Sequence, residues 1–336
     1  MRQMTGKQSI SFAKAVYIEG SAAIVGEKEK DGPLGEYFSH TLSDPMCGQE
    51  SWEEGESELQ LATAKLAMQK ANVRPEQIRM IFAGDLLAQS IASSFGLVDL
   101  NCPLYGLFGA CSTMGEALSL GAMAVAGGYG DRVLTVTSSH FGTAEKEFRF
   151  PLAYGNQRPP SASWTVTGSG ACVLGKTRSR VKITGATTGK IIDYGLKDNQ
   201  NMGACMAPAA CDTIAQSLVD FNREPADYDR IVTGDLGVVG REILLELLKK
   251  KGYDISEQHS DCGMLIFDPA KQDTGAGGSG CGCAASEYLL PKLENGEWKR
   301  ILFVPTGALM SKVSFQEGSS VPGIAQAVVI EREEDV

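Results

Sequence analysis

The sequence predicts an α/β fold made of two pseudo-symmetric halves, residues 1–177 and 178–336. Three observations carry this expectation. A 15-residue window recurs 150 positions later, the same helix–turn–strand order surrounds both copies, and one helix is nearly all small or apolar.

The recurring window reads NVRPEQIRMIFAGDL at 72–86 and NREPADYDRIVTGDL at 222–236. Asn, Pro, Ile, Gly, Asp and Leu match in register, several-fold above the roughly one match expected from average composition. A helical pattern precedes each copy, at 57–71 and 209–221, and a short apolar strand follows within it, at 80–83 and 231–233. The Asn-x-x-Pro step is a helix exit, because proline cannot continue a helix. Two unrelated αβ units sharing a common turn are the other reading of the match. Downstream, a helix at 112–126 and a strand at 132–137 are answered by a helix at 284–290 and a strand at 300–304. Met114, Ala117, Leu118, Leu120, Ala122, Met123 and Val125 leave helix 112–126 no broad polar face, so it is expected to be buried. Layered sheets with helices between and outside them follow. Further strands are expected at 164–167, 171–175, 181–186 and 325–331. No low-complexity linker divides the halves. The charge run KEKD at 28–31 reads as a solvated loop, and the polar stretch from there to Gly55 as an inserted surface segment.

The 336 residues carry 31 basic and 41 acidic side chains, a formal net charge of −10. That balance argues against general nucleic-acid binding and against electrostatic attachment to anionic lipid. No apolar run approaches the about 18 residues of a transmembrane helix, and the first residues lack the apolar core of a secretory signal. Nine cysteines without such a signal imply free thiols in a reducing compartment. Three histidines and the single C-x-C of Cys281 and Cys283 form no zinc-ligand cluster, so no metal is expected. The run GAGGSGCGCAAS at 275–286 lacks the Gly-Lys-Ser/Thr of a phosphate loop, and no cofactor is expected.

Chemistry concentrates at GACSTMGEAL, residues 109–118. Cys111 stands at the start of the buried helix, where unpaired N–H groups and the helix dipole are expected to lower its pKa and to hold an oxyanion or a carboxylate. The competing reading is an inert buried cysteine. His259 in EQHSDCG is the candidate base. His140 in TSSH is either a second pocket residue or a surface histidine. Asp85 and Asp235 read as turn or cap residues.

Taken together, these residues resemble thiolases and ketoacyl synthases. From about Gly6 to Arg332 the chain is similar to the stage V sporulation protein AD family, on segments such as EKEKDGPLG, LFGACST, FRFPLAYGNQRP, TVTGSGA, MAPAACDTI, TGDLGVVG, DCGMLI and GGSGCGCAAS. The resemblance implies the five-layered αβαβα thiolase fold. It implies direct binding of dipicolinic acid and a role in the uptake of dipicolinate, or calcium-dipicolinate, into the developing endospore. Membrane proteins of the same sporulation operon are the implied partners, and a homodimer is the implied assembly. A soluble chain of cytosolic type is implied, peripheral at the forespore or spore inner membrane through those partners.

Condensing enzymes of the ketoacyl synthase III type carry Cys, His and Asn. By resemblance Cys111 matches the nucleophile and His259 the histidine, while Cys281 stands in place of the asparagine. A thiol is a weak donor, and losing one oxyanion donor costs about a hundredfold to a thousandfold in rate. The site therefore reads as vestigial and the chain as a non-condensing binding protein. The alternative is an active acyl-CoA-dependent acyltransferase or condensing enzyme. Cys111, Ser112, His140, His259, Ser279, Gly280, Cys281, Thr306 and Gly307 are the candidate ligand-binding residues. Backbone near Gly278–Gly280 and Thr306–Gly307 is expected to leave room for a flat ring. Arg149 and Arg158, in the loop between the halves, could add charge for the ligand; solvated side chains or dimer contacts are the favoured reading, since exposed arginine is the norm.

Overall fold

The repeated letters are those whose backbone the turn demands. Helix Trp52–Lys70 and helix Met202–Phe221 both end in an asparagine with left-handed φ, 54° at Asn72 and 50° at Asn222. Asn tolerates that conformation better than most residues. Pro75 and Pro225 then open matching 3-10 turns, Pro75–Gln77 and Pro225–Asp227, where a missing N–H costs nothing. The computed structural model describes residues 3–148, 159, 161–272, 276–278 and 280–334.

The first half contributes β1 (Ser9–Val25), β2 (Ile81–Gly84), β3 (Leu104–Gly106), β4 (Arg132–Ser139) and β5 (Gly168–Gly175). The second contributes β6 (Val181–Thr187), β7 (Arg230–Thr233), β8 (His259–Asp261), β9 (Arg300–Val304) and β10 (Ala327–Arg332). The spatial order is β1-β5-β4-β2-β3 in the first half and β6-β10-β9-β7-β8 in the second. In both, the first two pairings are antiparallel and the last two parallel. The topology is therefore the same sheet used twice. β1 joins the two copies: Tyr17–Val25 pairs with β5, while Ser9–Tyr17 pairs with β6.

The helices are α1 (Trp52–Lys70), α2 (Thr113–Gly127), α3 (Phe141–Phe148), α4 (Met202–Phe221), α5 (Gly237–Lys250) and α6 (residues 280–294). α1 packs Leu61, Ala64 and Met68 against Ile81, Leu134 and Val173 of the first sheet. α4 and α5 pack Ile214, Leu218, Leu244 and Leu248 against Ile231, Leu302 and Val329 of the second. Between the sheets, Met114, Leu118 and Val125 of α2 share one cluster with Leu289, Leu290 and Leu293 of α6. Leu174, Phe303 and Ile330, from strands of both halves, close it. The result is five layers, helix–sheet–helix–sheet–helix. The burial expected of helix 112–126 holds, since an all-round apolar helix is stable only between two sheets.

Several boundaries differ from the sequence expectation. α1 begins at Trp52, with Ser51 accepting from the Glu54 N–H, and α4 begins at Met202 and runs through Pro208. The single strand expected at 325–331 is two, Gly323–Ala325 and Ala327–Arg332. Residues 28–31 are not a solvated loop. Glu27–Lys30 is a helical turn, Glu29 is buried, and its carboxylate accepts from the Thr167 N–H at 3.0 Å. Lys30 donates to the carbonyls of Gly35 and Phe38. Leu34 and Phe38 are buried in the central core, so the segment beyond is not wholly surface. Among the described residues no helix is long and apolar enough to cross a membrane.

Candidate functional site

Cys111 sits in a 3-10 turn, Ala110–Ser112, that leads into α2. Ala110 is forced to a left-handed φ of 50°, a conformation that costs a residue with a Cβ about 1–2 kcal/mol. The turn is held internally. Ser112 donates its hydroxyl to the Gly109 carbonyl at 2.7 Å, and Thr113 donates to the Ala110 carbonyl at 2.6 Å. Cys111 lines an inner cavity of about 40 Å³.

The facing wall is built at the end of β7. Thr306 donates its hydroxyl to the Gly234 carbonyl. The Asp261 carboxylate accepts from the N–H groups of Leu236 and Gly237, both at 2.9 Å, and from the Thr233 hydroxyl at 2.7 Å. Between these anchors Asp235 holds a φ of 55° and lines the cavity. Glu145 and Phe148 of α3, Met202 and Met206 of α4, Asn199, Gln200 and Gly278 line much of the rest. No Lys, Arg or His stands among the described lining residues.

The electrostatics follow from burial. Desolvation, with Asp235 adding to it, pushes the Cys111 thiol up to about 12. This corrects the expectation of a lowered pKa: a single turn's N–H groups do not offset removal from water beside a second acid. Asp235 is 1% exposed, and apart from the approach of the Cys281 N–H neither carboxylate oxygen has a hydrogen-bond partner. Burial, then the Asp261 carboxylate, holds its carboxyl well above the usual range. Burial also raises the Cys281 thiol, with Asp235 as the next cause.

The other sequence candidates divide. Around the Cys111 turn the structure gathers Ser112, Gly280, Cys281, Thr306 and Gly307. The Cys281 thiol donates to the Cys111 carbonyl at 3.4 Å. Gly280 passes so close to Asp235 that a Cβ there would meet Oδ1 at 2.8 Å. Gly307 lies against the Gly109 carbonyl, and a Cβ on Gly278 would meet the Ser139 hydroxyl at 2.5 Å. These glycines admit neighbouring protein atoms, so the room expected for a flat ring is already filled.

The histidines are elsewhere. His259 does not line the cavity. Its Nε2 is 2.9 Å from the Thr233 hydroxyl, which donates onward to Asp261, so Nε2 carries the proton and donates. Burial drives its pKa down to about 3, leaving a neutral core imidazole. His140 is buried too. Its Nδ1 accepts from the Gly142 N–H and its Nε2 donates to the Pro45 carbonyl, away from the cavity lining. Neither histidine is where the sequence reading put it, on the cavity wall: His140 has both ring nitrogens bonded, while His259 keeps a buried Nδ1 without a partner. Ser279, Arg149 and Arg158 lie outside the described residues.

A sequence profile for Stage V sporulation protein AD (SpoVAD) matches residues 6–331. The chain belongs to the stage V sporulation protein AD family. A curated relative, Stage V sporulation protein AD of Bacillus subtilis (strain 168), is 43% identical over 333 residues, 98% of each chain. Solved structures share the fold at low identity. A crystal structure of OleA from Xanthomonas campestris aligns with a TM-score of 0.61 and 15% identity, over 96% of this chain and 99% of that one. The 3-oxoacyl-[acyl-carrier-protein] synthase III of Aquifex aeolicus VF5 aligns at 0.57 and 15%, over 94% and 99%. The fold of this sporulation protein AD family member is thus thiolase-like.

Asp235 is the residue that sequence reasoning passed over. It and Asp85 occupy the same repeat position, but their surroundings differ. Asp85 accepts from the Leu87 N–H and from the N–H and hydroxyl of Ser93. After Asp235 the family member reads LGVVGREIL, with no hydroxyl residue to bond it. That missing partner was the legible signal.

Proposed function

We propose that this chain is a binding protein on a condensing-enzyme fold, holding dipicolinate during its uptake into the developing endospore and joining no acyl groups. One observation carries the reading. The Cys111 thiol, pushed up to about 12, faces the carboxyl of Asp235 and no basic side chain among the described lining residues. A thiol held protonated by burial beside an acid, with no base to take its proton, is a poor nucleophile for acyl-enzyme chemistry.

Family membership supports the sporulation role, and dipicolinate is the ligand that the resemblance implies. The inner cavity of about 40 Å³ holds only a few waters. Dipicolinate enters it by displacing wall side chains. Met202 and Met206, with flexible unbranched stems, and the half-buried Phe148 are the movable ones. Membrane proteins of the same operon carry the chain to the forespore membrane in this reading. A second copy pairs along β3, whose three residues are all exposed.

The test has two arms. Titration calorimetry of dipicolinate into the purified protein is expected to give saturable heat. Intact mass after incubation with acyl-CoA thioesters is expected to show no adduct on Cys111. An acyl adduct that turns over overturns the reading in favour of an acyltransferase.

A further inference from the structure

We propose that Asp235 is the residue of the Cys111 cavity that takes one carboxylate of a small organic acid, through an acid–carboxylate hydrogen bond. The proposal rests on the binding reading above and names how the same site recognises its ligand.

Geometry carries it. Both Asp235 oxygens are buried, and apart from the approach of the Cys281 N–H neither has a hydrogen-bond partner, in a protein where Asp85 and Asp261 are each fully hydrogen-bonded. A buried polar group without a partner costs about 1–3 kcal/mol, so a missing partner is the economical explanation. The backbone is fixed on both sides, by Thr306 on Gly234 and by Asp261 on Leu236 and Gly237. The turn therefore cannot shift as a whole to bring the carboxyl a partner. Gly280 leaves the space that Oδ1 requires.

The charge of the cavity then selects the form of the bond. The titratable groups around Asp235 are Asp261 from β8, Cys262 just after it, Cys111 before α2 and Cys281 of α6. Glu145 of α3 lines the same cavity. All are acids, and burial with Asp261 beside it keeps the Asp235 carboxyl protonated above the usual range. A carboxyl kept neutral in a dry site donates its proton in a hydrogen bond, and an O–H···O⁻ bond to a carboxylate is among the strong ones. An ionised Asp235 would repel the same ligand. Affinity therefore falls as pH rises and the proton is lost.

The experiment titrates dipicolinate and picolinate into wild type, Asp235→Asn and Asp235→Ala from about pH 5 to about pH 9, with thermal unfolding as the fold control. Wild type is expected to bind more weakly as pH rises. Asp235→Asn, which keeps a donor, is expected to bind within about threefold of wild type with a flat pH profile. Asp235→Ala is expected to lose about tenfold or more. Infrared spectra supply a second readout: a protonated-carboxyl C=O band, absent from Asp235→Asn, that shifts when ligand binds. If dipicolinate binds equally to folded Asp235→Ala with an unchanged pH profile, this inference fails and the binding reading stands. If picolinate binds through Asp235 and dipicolinate does not, the dipicolinate reading fails and the inference stands. If neither acid binds wild type, both are overturned.

Discussion

The imidazole of His259 lies 2.9 Å from the Thr233 hydroxyl, and neither residue lines the cavity that holds Cys111. The histidine belongs to a buried relay, His259 to Thr233 to Asp261, whose last member fixes the turn carrying Asp235. Its contribution is to stability and positioning. His259→Ala is expected to cost about 1–3 kcal/mol of stability by chemical denaturation, and to leave dipicolinate affinity within about twofold. A collapse of affinity in a variant of unchanged stability would contradict this.

The same residue sets an acid limit. Its folded-state pKa, about 3, lies below the ordinary value of 6.5, so the unfolded chain takes up the proton first as pH falls. Stability is expected to decline below about pH 6.5 by up to about 1.4 kcal/mol per pH unit, continuing toward pH 3. Denaturation curves of His259→Gln are expected to be flatter across that window.

Glu29 works in the opposite direction. Burial raises its pKa from 4.5 to about 7, against the opposing pull of the Thr167 N–H. Below pH 4.5 both folded and unfolded forms are protonated and its contribution is complete. Between about 4.5 and 7 the unfolded chain ionises first, and up to about 3 kcal/mol is lost as pH rises. Glu29→Gln keeps an acceptor for Thr167 and cannot ionise. It is expected to melt higher than wild type at pH 8 and level with it at pH 4.

Alkylation kinetics report on Cys111 directly. With its thiol near 12, iodoacetamide at pH 7 is expected to label it about a thousandfold more slowly than cysteine in the unfolded chain. Peptide mass mapping gives the rate. Fast labelling would mean that a base reaches the thiol.

Crowding behind the thiol is testable as well. A Cβ at Gly307 would run into the Gly109 carbonyl, which is backbone and cannot swing aside. Gly307→Ala is expected to destabilise by about 1–3 kcal/mol and to displace the Cys111 turn. On the opposite wall, Phe148→Ala enlarges the cavity. If dipicolinate occupies that space, its association rate in stopped flow is expected to rise; an unchanged rate places the ligand elsewhere.

The fold was legible where backbone chemistry repeats. Asn72 and Asn222, Pro75 and Pro225, and Gly84 and Gly234 recur because a helix exit, a 3-10 turn and a strand end each restrict residue choice. The apolar surround of α2 announced its central layer. β1 was not legible: SISFAKAVYIEGSAAIV changes sheets midway, so its burial pattern keeps no single alternation. The site was legible at Cys111, whose turn has a distinctive spelling. At His259 the sequence showed the chemistry and not the place: its strand register, opposite Ile231, sets the ring beside Thr233 rather than on the cavity lining. Asp235 was passed over because its turn-like setting matches that of Asp85, and only the lack of a following hydroxyl residue sets it apart.

The shared strand β1 ties the two sheets into one continuous ladder. Removing residues 1–25 would strip a neighbour from β5 and from β6 at once, exposing two raw ladder edges rather than one. A fragment beginning after residue 177 would emerge with the β6 edge naked and prone to self-association. Calorimetry of the intact chain is expected to show a single endotherm, even though its two sheets descend from the same plan.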